Sequence, residues 1–181
     1  IHDVKKEMFS ICEEVFDILI KEEDSATAWQ EDVELWSISE STGEKLAYFY
    51  LDLYPREGKF THAAVFDISS GSQDGELLPI CSMVANFPNP SSGDGLMTFD
   101  EVETLFHEFG HVLHNGIGKA KFARFVGANV EWDFVEAPSQ IMEHWVWKSE
   151  CLKRFSKHID TGQSLDEVIC NKLRILSCSS L

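Results

Sequence analysis

The sequence predicts an α+β fold: a small, mostly antiparallel sheet packed on one long helix and on a second helix that follows it. Three observations carry this expectation. Val4, Met8, Cys12, Val15 and Leu19 recur at helical spacing near the start. Four apolar or β-branched runs separated by turn formers follow before residue 88. Thr98-Phe99-Asp100-Glu101 then opens a long apolar stripe.

In chain order, residues 3–22 read as an amphipathic helix, because charges fill the positions between the apolar ones. Residues 29–38 and 45–53 read as a hairpin around Ser41-Thr42-Gly43. Residues 54–61 are turn-rich, and residues 62–68 and 80–87 are two further strands with Ser/Gly-rich sequence between them. About four strands result, a usual number for a sheet. Residues 62–67 suit a sheet edge, since they follow a polar loop, whereas 80–87 is more apolar, as a central strand would be. Thr98 and Glu101 form a capping box for a helix over about residues 98–116, with Asn115-Gly116 as its stop. A second helix is expected over about 133–158, with Pro138 in its first turns or kinking it. The whole of residues 1–181 reads as a single domain.

Composition narrows the partners. Thirty-one acidic residues against fifteen basic ones give a net charge of −16, a field that repels nucleic acid and anionic membrane. The same excess suits a solvated surface or attraction for cationic peptides. Five widely spaced cysteines, Cys12, Cys81, Cys151, Cys170 and Cys178, contain no C-x-x-C pair and suggest reduced thiols in the cytosol. The apolar run 15–20 is short and interrupted by Asp17, unlike a signal peptide or a membrane span. The chain starts at Ile1, which suggests a piece or a processed form of a longer polypeptide.

The chemistry is concentrated in His107-Glu108-Phe109-Gly110-His111. Residues four apart on a helix differ by about 40° in direction and about 6 Å in height, so His107 and His111 can meet one metal ion. Glu108 points about 100° away from His107. It suits a general base that takes a proton from water attacking a peptide carbonyl, with one zinc ion per chain as Lewis acid. A third ligand is required. The metzincin arrangement fails, because His114 and Ile117 occupy the places of its glycine and third histidine. His114 lies too far along the helix to share the ion and reads as a half-buried histidine bonded to a carbonyl, or one facing substrate. Glu131, Glu136 and Glu143 remain as candidates. Glu136, about 25 residues after His111, is preferred on spacing, and its alternative role is a glutamate at a helix N-terminus. Asp133, Gln140 and Glu143 could orient the ligands, or be ordinary exposed polar residues.

Three blocks then resemble the thimet oligopeptidase and neurolysin family of zinc oligopeptidases: residues 49–59, with Tyr54-Pro55-Arg56-Glu57-Gly58-Lys59; residues 106–114; and residues 133–140, leading to Glu143 and Trp145-Val146-Trp147. The resemblance covers about residues 14–158 and implies a zincin-like catalytic core within a larger, mostly helical fold. It implies Glu136 as third zinc ligand beside His107 and His111, and Glu108 as the catalytic residue. It also places His62, Ala63 and Ala64 in a sheet near the cleft, as substrate-binding residues. Short unstructured peptides are the implied substrates and the cytoplasm or mitochondrial matrix the implied location, with helical regions of a longer polypeptide around this partial catalytic domain. A Gly-rich loop that touches substrate in the family has no matching residues in this chain. The last residues, about 175–181, look unlike the family.

Overall fold

The computed structural model describes residues 1–23, 28–71, 77–118 and 125–177. Cys178 lies outside them; the other four cysteines are buried and free.

Helix α1, His2–Phe16, buries Met8, Phe9, Ile11 and Cys12 on one face. It is shorter than the sequence suggests. Asp17 adopts a left-handed conformation with φ 53°, which ends the helix, and the β-branched residues Ile18 and Ile20 begin strand β1, Ile18–Glu22. Strands β2, Glu34–Glu40, and β3, Lys45–Asp52, form the expected hairpin; β4 is Ala64–Ser70 and β5 is Pro79–Val84. Among the described residues the sheet therefore has five strands rather than four, in the order β1-β2-β3-β5-β4. All pairings are antiparallel except β3 with β5. Strand β4 lies at the edge and β5 inside, as the apolar pattern of the two runs anticipates.

Helix α2, Phe99–Ile117, begins at the capping box: Thr98 Oγ1 accepts from Glu101 N at 3.3 Å and Thr98 N donates to Glu101 Oε2 at 2.7 Å. It continues past Asn115-Gly116. Gly116 is a packing point instead of a stop, since a Cβ there would lie 3.0 Å from Ala47 Cβ and 3.1 Å from Ile38 Cδ1. Phe109 joins α2 to the rest of the core: its ring centroid lies 5.2 Å from Phe9 on α1 and 5.5 Å from Phe49 on β3. Aromatic burial of this kind holds both helices on one face of the sheet.

The helix expected over 133–158 is divided. Helix α3 spans Ala137–Val146 and α4 spans Ser149–Phe155, and between them Lys148 is extended, with φ −81° and ψ 126°. The break lets Phe155 of α4 reach Phe106 of α2, 5.9 Å between centroids, while Trp147 donates its indole N–H to Glu103 at 2.7 Å. Helix α5, Glu167–Ser177, follows.

The block around Tyr54-Pro55-Arg56-Glu57-Gly58-Lys59 forms a buried latch where β3 and β5 end. Lys59 Nζ donates to the carbonyls of Asp52, Tyr54 and Ala85 at 2.9, 2.6 and 2.5 Å, and lies 2.8 Å from Asp52 Oδ1. Arg56 forks onto the same carboxylate at 2.6 and 2.7 Å, and Trp29 Nε1 donates to it at 3.0 Å. Burial alone would raise the Asp52 carboxyl's pKa, but these donors outweigh it and lower the value to about 2.

Candidate metal centre

The capping box starts α2 nine residues before His107, so the helix is established where the histidines need it. His107 and His111 stand on adjacent turns, with ring centroids 5.1 Å apart. Opposite them, Glu136 is the residue from which α3 starts, with Pro138 in the first turn, where a missing N–H costs nothing. Ser139, fully buried, places its Oγ 2.8 Å from Glu136 Oε2 and 2.9 Å from the Glu136 carbonyl oxygen. That hydroxyl, more than the neighbouring imidazoles, lowers the Glu136 carboxyl's pKa and keeps it ionised.

The three side chains converge. Glu136 Oε2 lies 3.2 Å from His107 Nε2 and 3.1 Å from His111 Nε2, and one donor atom from each residue falls within 4.8 Å of the others. Bonds of about 2.0–2.1 Å at a tetrahedral angle put neighbouring donors on one ion about 3.3 Å apart. The spacing fits a metal ion with two imidazoles and one carboxylate. Burial lowers the His111 pKa, which favours the neutral ring a metal requires. Glu143 approaches from behind, its Oε1 2.5 Å from His107 Nδ1. A carboxylate only accepts, so it holds the tautomer with Nδ1 protonated and Nε2 free for the ion.

Glu108 points into the same region. It is 7% exposed, and burial raises its pKa, with His107 opposing and Glu136 adding to the shift. A cavity of about 350 Å³ is lined by His107, Glu108, His111 and Glu136 on one side and by Ala63, Ala64, Val65 and Asp67 of the sheet edge on the other. His62 is exposed and its ring lies 5.7 Å from Phe60.

Of the remaining candidates, Glu131 and Asp133 are exposed in the turn before α3, and the Gln140 carbonyl faces His144 Nδ1 at 2.7 Å. His114 packs against Phe134, 6.1 Å between centroids, with burial lowering its pKa. Its Nδ1 has no hydrogen-bond partner, so the carbonyl bond expected of it is not made there.

Sequence reasoning missed Gly110 and Ser139 as parts of the centre. A Cβ on Gly110 would lie 2.6 Å from Ser139 Cα and 2.8 Å from the Pro138 carbonyl, so the absent side chain is what lets α3 come close enough for Glu136 to meet the histidines. A glycine inside an apolar helical stripe costs about 1 kcal/mol relative to alanine, and that cost was the available signal.

Comparison with known proteins agrees with this geometry. The family model described as peptidase family M3 matches residues 1–180, including most of the segment after residue 174 that looked unlike the family. The chain is 41% identical over 155 residues to the thimet-like oligopeptidase of Dictyostelium discoideum, covering 82% of this chain and 23% of that protein. It is 38% identical over 177 residues to the chloroplastic/mitochondrial organellar oligopeptidase A of Arabidopsis thaliana, covering 92% and 22%. To oligopeptidase A of Escherichia coli (strain K12) it is 37% identical over 171 residues, covering 92% and 25%. The chain thus spans about a quarter of the length of these relatives. With a family match along nearly its whole length, and a His-His-Glu cluster of metal-binding geometry, the chain belongs to peptidase family M3.

Proposed function

We propose that this chain is the metal- and substrate-binding part of a zinc-dependent endopeptidase that hydrolyses short, unfolded peptides. The observation that carries the proposal is the convergence of His107, His111 and Glu136 within 4.8 Å, beside the buried Glu108 and facing the β4 edge of the sheet across one cavity. Zinc, when bound, supplies a Lewis acid that acidifies water and polarises the peptide carbonyl.

The protein's own groups do the rest. His107, His111 and Glu136 hold the ion, and Glu143 keeps His107 in the required tautomer. Glu108 takes a proton from the water that attacks the carbonyl and returns it to the leaving amine; its raised pKa suits both roles. The outer edge of β4, from Ala63 and Ala64 onward, receives the peptide as an added strand, whose backbone hydrogen bonds are indifferent to side chains. Helical regions of a longer polypeptide supply the opposite wall and further donors for the developing oxyanion, so this chain alone turns over slowly. The proposed location is the cytosol or mitochondrial matrix, supported by four buried, unpaired thiols. Among the described residues, no helix is long and apolar enough to cross a membrane.

The test is hydrolysis of a quenched-fluorescence nonapeptide by the zinc-loaded chain and by its Glu108→Ala variant. A loss of at least about a hundredfold with zinc content unchanged is expected, because the residue acts on water and not on the ion. Equal rates above the uncatalysed background, or loss of zinc in the variant, would contradict the assignment.

A further inference from the structure

One end of the cavity is built for something the metal centre does not use. Asp67, on β4, turns toward α2 and accepts from Asn115 Nδ2 at 3.3 Å, while Ser70 Oγ donates to its other oxygen at 2.8 Å. Both Asp67 and Asn115 line the cavity. Asp67 is exposed and, among the described residues, no Lys, Arg or His pairs with it.

Asn115 is 5% exposed and its amide orientation is set, because a carboxylate can face only the nitrogen. Its Oδ1 is therefore an acceptor, and it is buried with no hydrogen-bond partner. Such groups are few in folded proteins and call for an explanation. Gly127, with φ +59°, closes over this amide so tightly that a Cβ would lie 2.8 Å from Nδ2. The loop holds Asn115 behind Asp67, with its amide nitrogen fixed on the carboxylate.

We propose that Asp67, backed by Asn115, is a specificity subsite for a positively charged group carried by the substrate peptide. This rests on the peptidase reading above. A metal ion at the centre would offset Glu136 but leaves Asp67 without a counter-charge among the described residues, in a chain of net charge −16, so a cation suits the position better than a neutral donor. Asn115 stands one turn beyond His111, about 6 Å along the axis, and an extended peptide advances about 3.3 Å per residue. The charged group therefore sits one or two residues from the bond at the metal. An arginine or lysine side chain supplies it, or the α-ammonium of a peptide cut near its amino terminus.

The test uses peptide hydroxamates, which anchor to the metal and need no turnover, binding to the zinc-loaded 181-residue chain in competition with a fluorescent ligand. Matched pairs carry arginine or its neutral isostere citrulline one or two residues from the hydroxamate, with the amino terminus free or acetylated. The expected result is an affinity at least about tenfold higher for the charged member at one of these positions, weakening with salt. In the near-isosteric Asp67→Asn variant that ratio should fall to about one, with the citrulline peptides binding as before. A preference confined to free amino termini, and lost in the same variant, identifies the group as the α-ammonium. No charge preference in the unsubstituted chain, or a preference that survives Asp67→Asn, overturns the subsite alone. Failure of every hydroxamate to bind overturns the peptidase reading and the subsite with it.

Discussion

The centre depends on how single side chains are oriented. His107 offers Nε2 to a metal because Glu143, 36 positions away, has its Oε1 2.5 Å from Nδ1 and accepts the hydrogen bond of the Nδ1–H. Replacing Glu143 by glutamine keeps an acceptor but removes the charge, and with it much of the ligand's basicity. Changes to such partners typically cost 10- to 100-fold in metal affinity. Zinc affinity of Glu143→Gln, measured by competition with a chelator, should fall by about that factor; an unchanged affinity would show that His107 needs no orienting group. At this scale the sequence was most informative about local chemistry. His107, Glu108 and His111 declare themselves by helical spacing alone, whereas spacing only favours Glu136 over Glu131 and Glu143, and the family resemblance adds its role as a ligand. The Asp67–Asn115 contact was illegible, because it joins residues 48 apart through sheet and helix packing that no periodicity encodes.

Among elements, the contact of α2 with the start of α3 decides whether three ligands can meet. Gly110→Ala should improve α2 as an isolated helix by up to about 1 kcal/mol. It should nonetheless destabilise the protein by about 1–3 kcal/mol, as an added methyl does in a packed interior. The methyl would meet backbone atoms of Pro138 and Ser139, which cannot yield as a flexible side chain would. Displacing them moves Glu136, so weaker zinc binding should accompany the lower thermal midpoint; full zinc affinity with a lower midpoint would separate packing from ligand geometry. Helix α2 was legible because its capping box, apolar stripe and motif agree. Helix α1 was overextended because Leu19 continued its apolar period, while the left-handed Asp17 carries only a weak stop signal compared with glycine. The break before α4 has no glycine or proline to announce it; it follows from the packing of Trp147 and Phe155 on α2.

Across the whole molecule, the Asp52 latch ties the ends of β3 and β5 to the loop that leads into the β4 edge, so sheet stability and cleft shape are linked. The Asp52 carboxyl titrates at about 2 in the folded protein against 3.8 for an unperturbed one. A depressed folded pKa stabilises above the unfolded value, and that contribution, about 2 kcal/mol, is lost as pH falls from about 4 toward about 2. Urea unfolding of the metal-free chain and of Asp52→Asn should therefore show a stability gap that narrows across that interval; a gap independent of pH would remove the carboxylate from the account. Metal binding is likewise a property of the assembled fold, because two ligands come from α2 and the third from the start of α3. The most direct test of the central claim is zinc stoichiometry and affinity for the unsubstituted chain, Glu136→Ala and the control Glu131→Ala. The account predicts one tightly held zinc in the first and third, and binding weaker by at least about a hundredfold in Glu136→Ala, which loses both a bond and a compensating charge. Zinc held by Glu136→Ala as tightly as by the unsubstituted chain would contradict it.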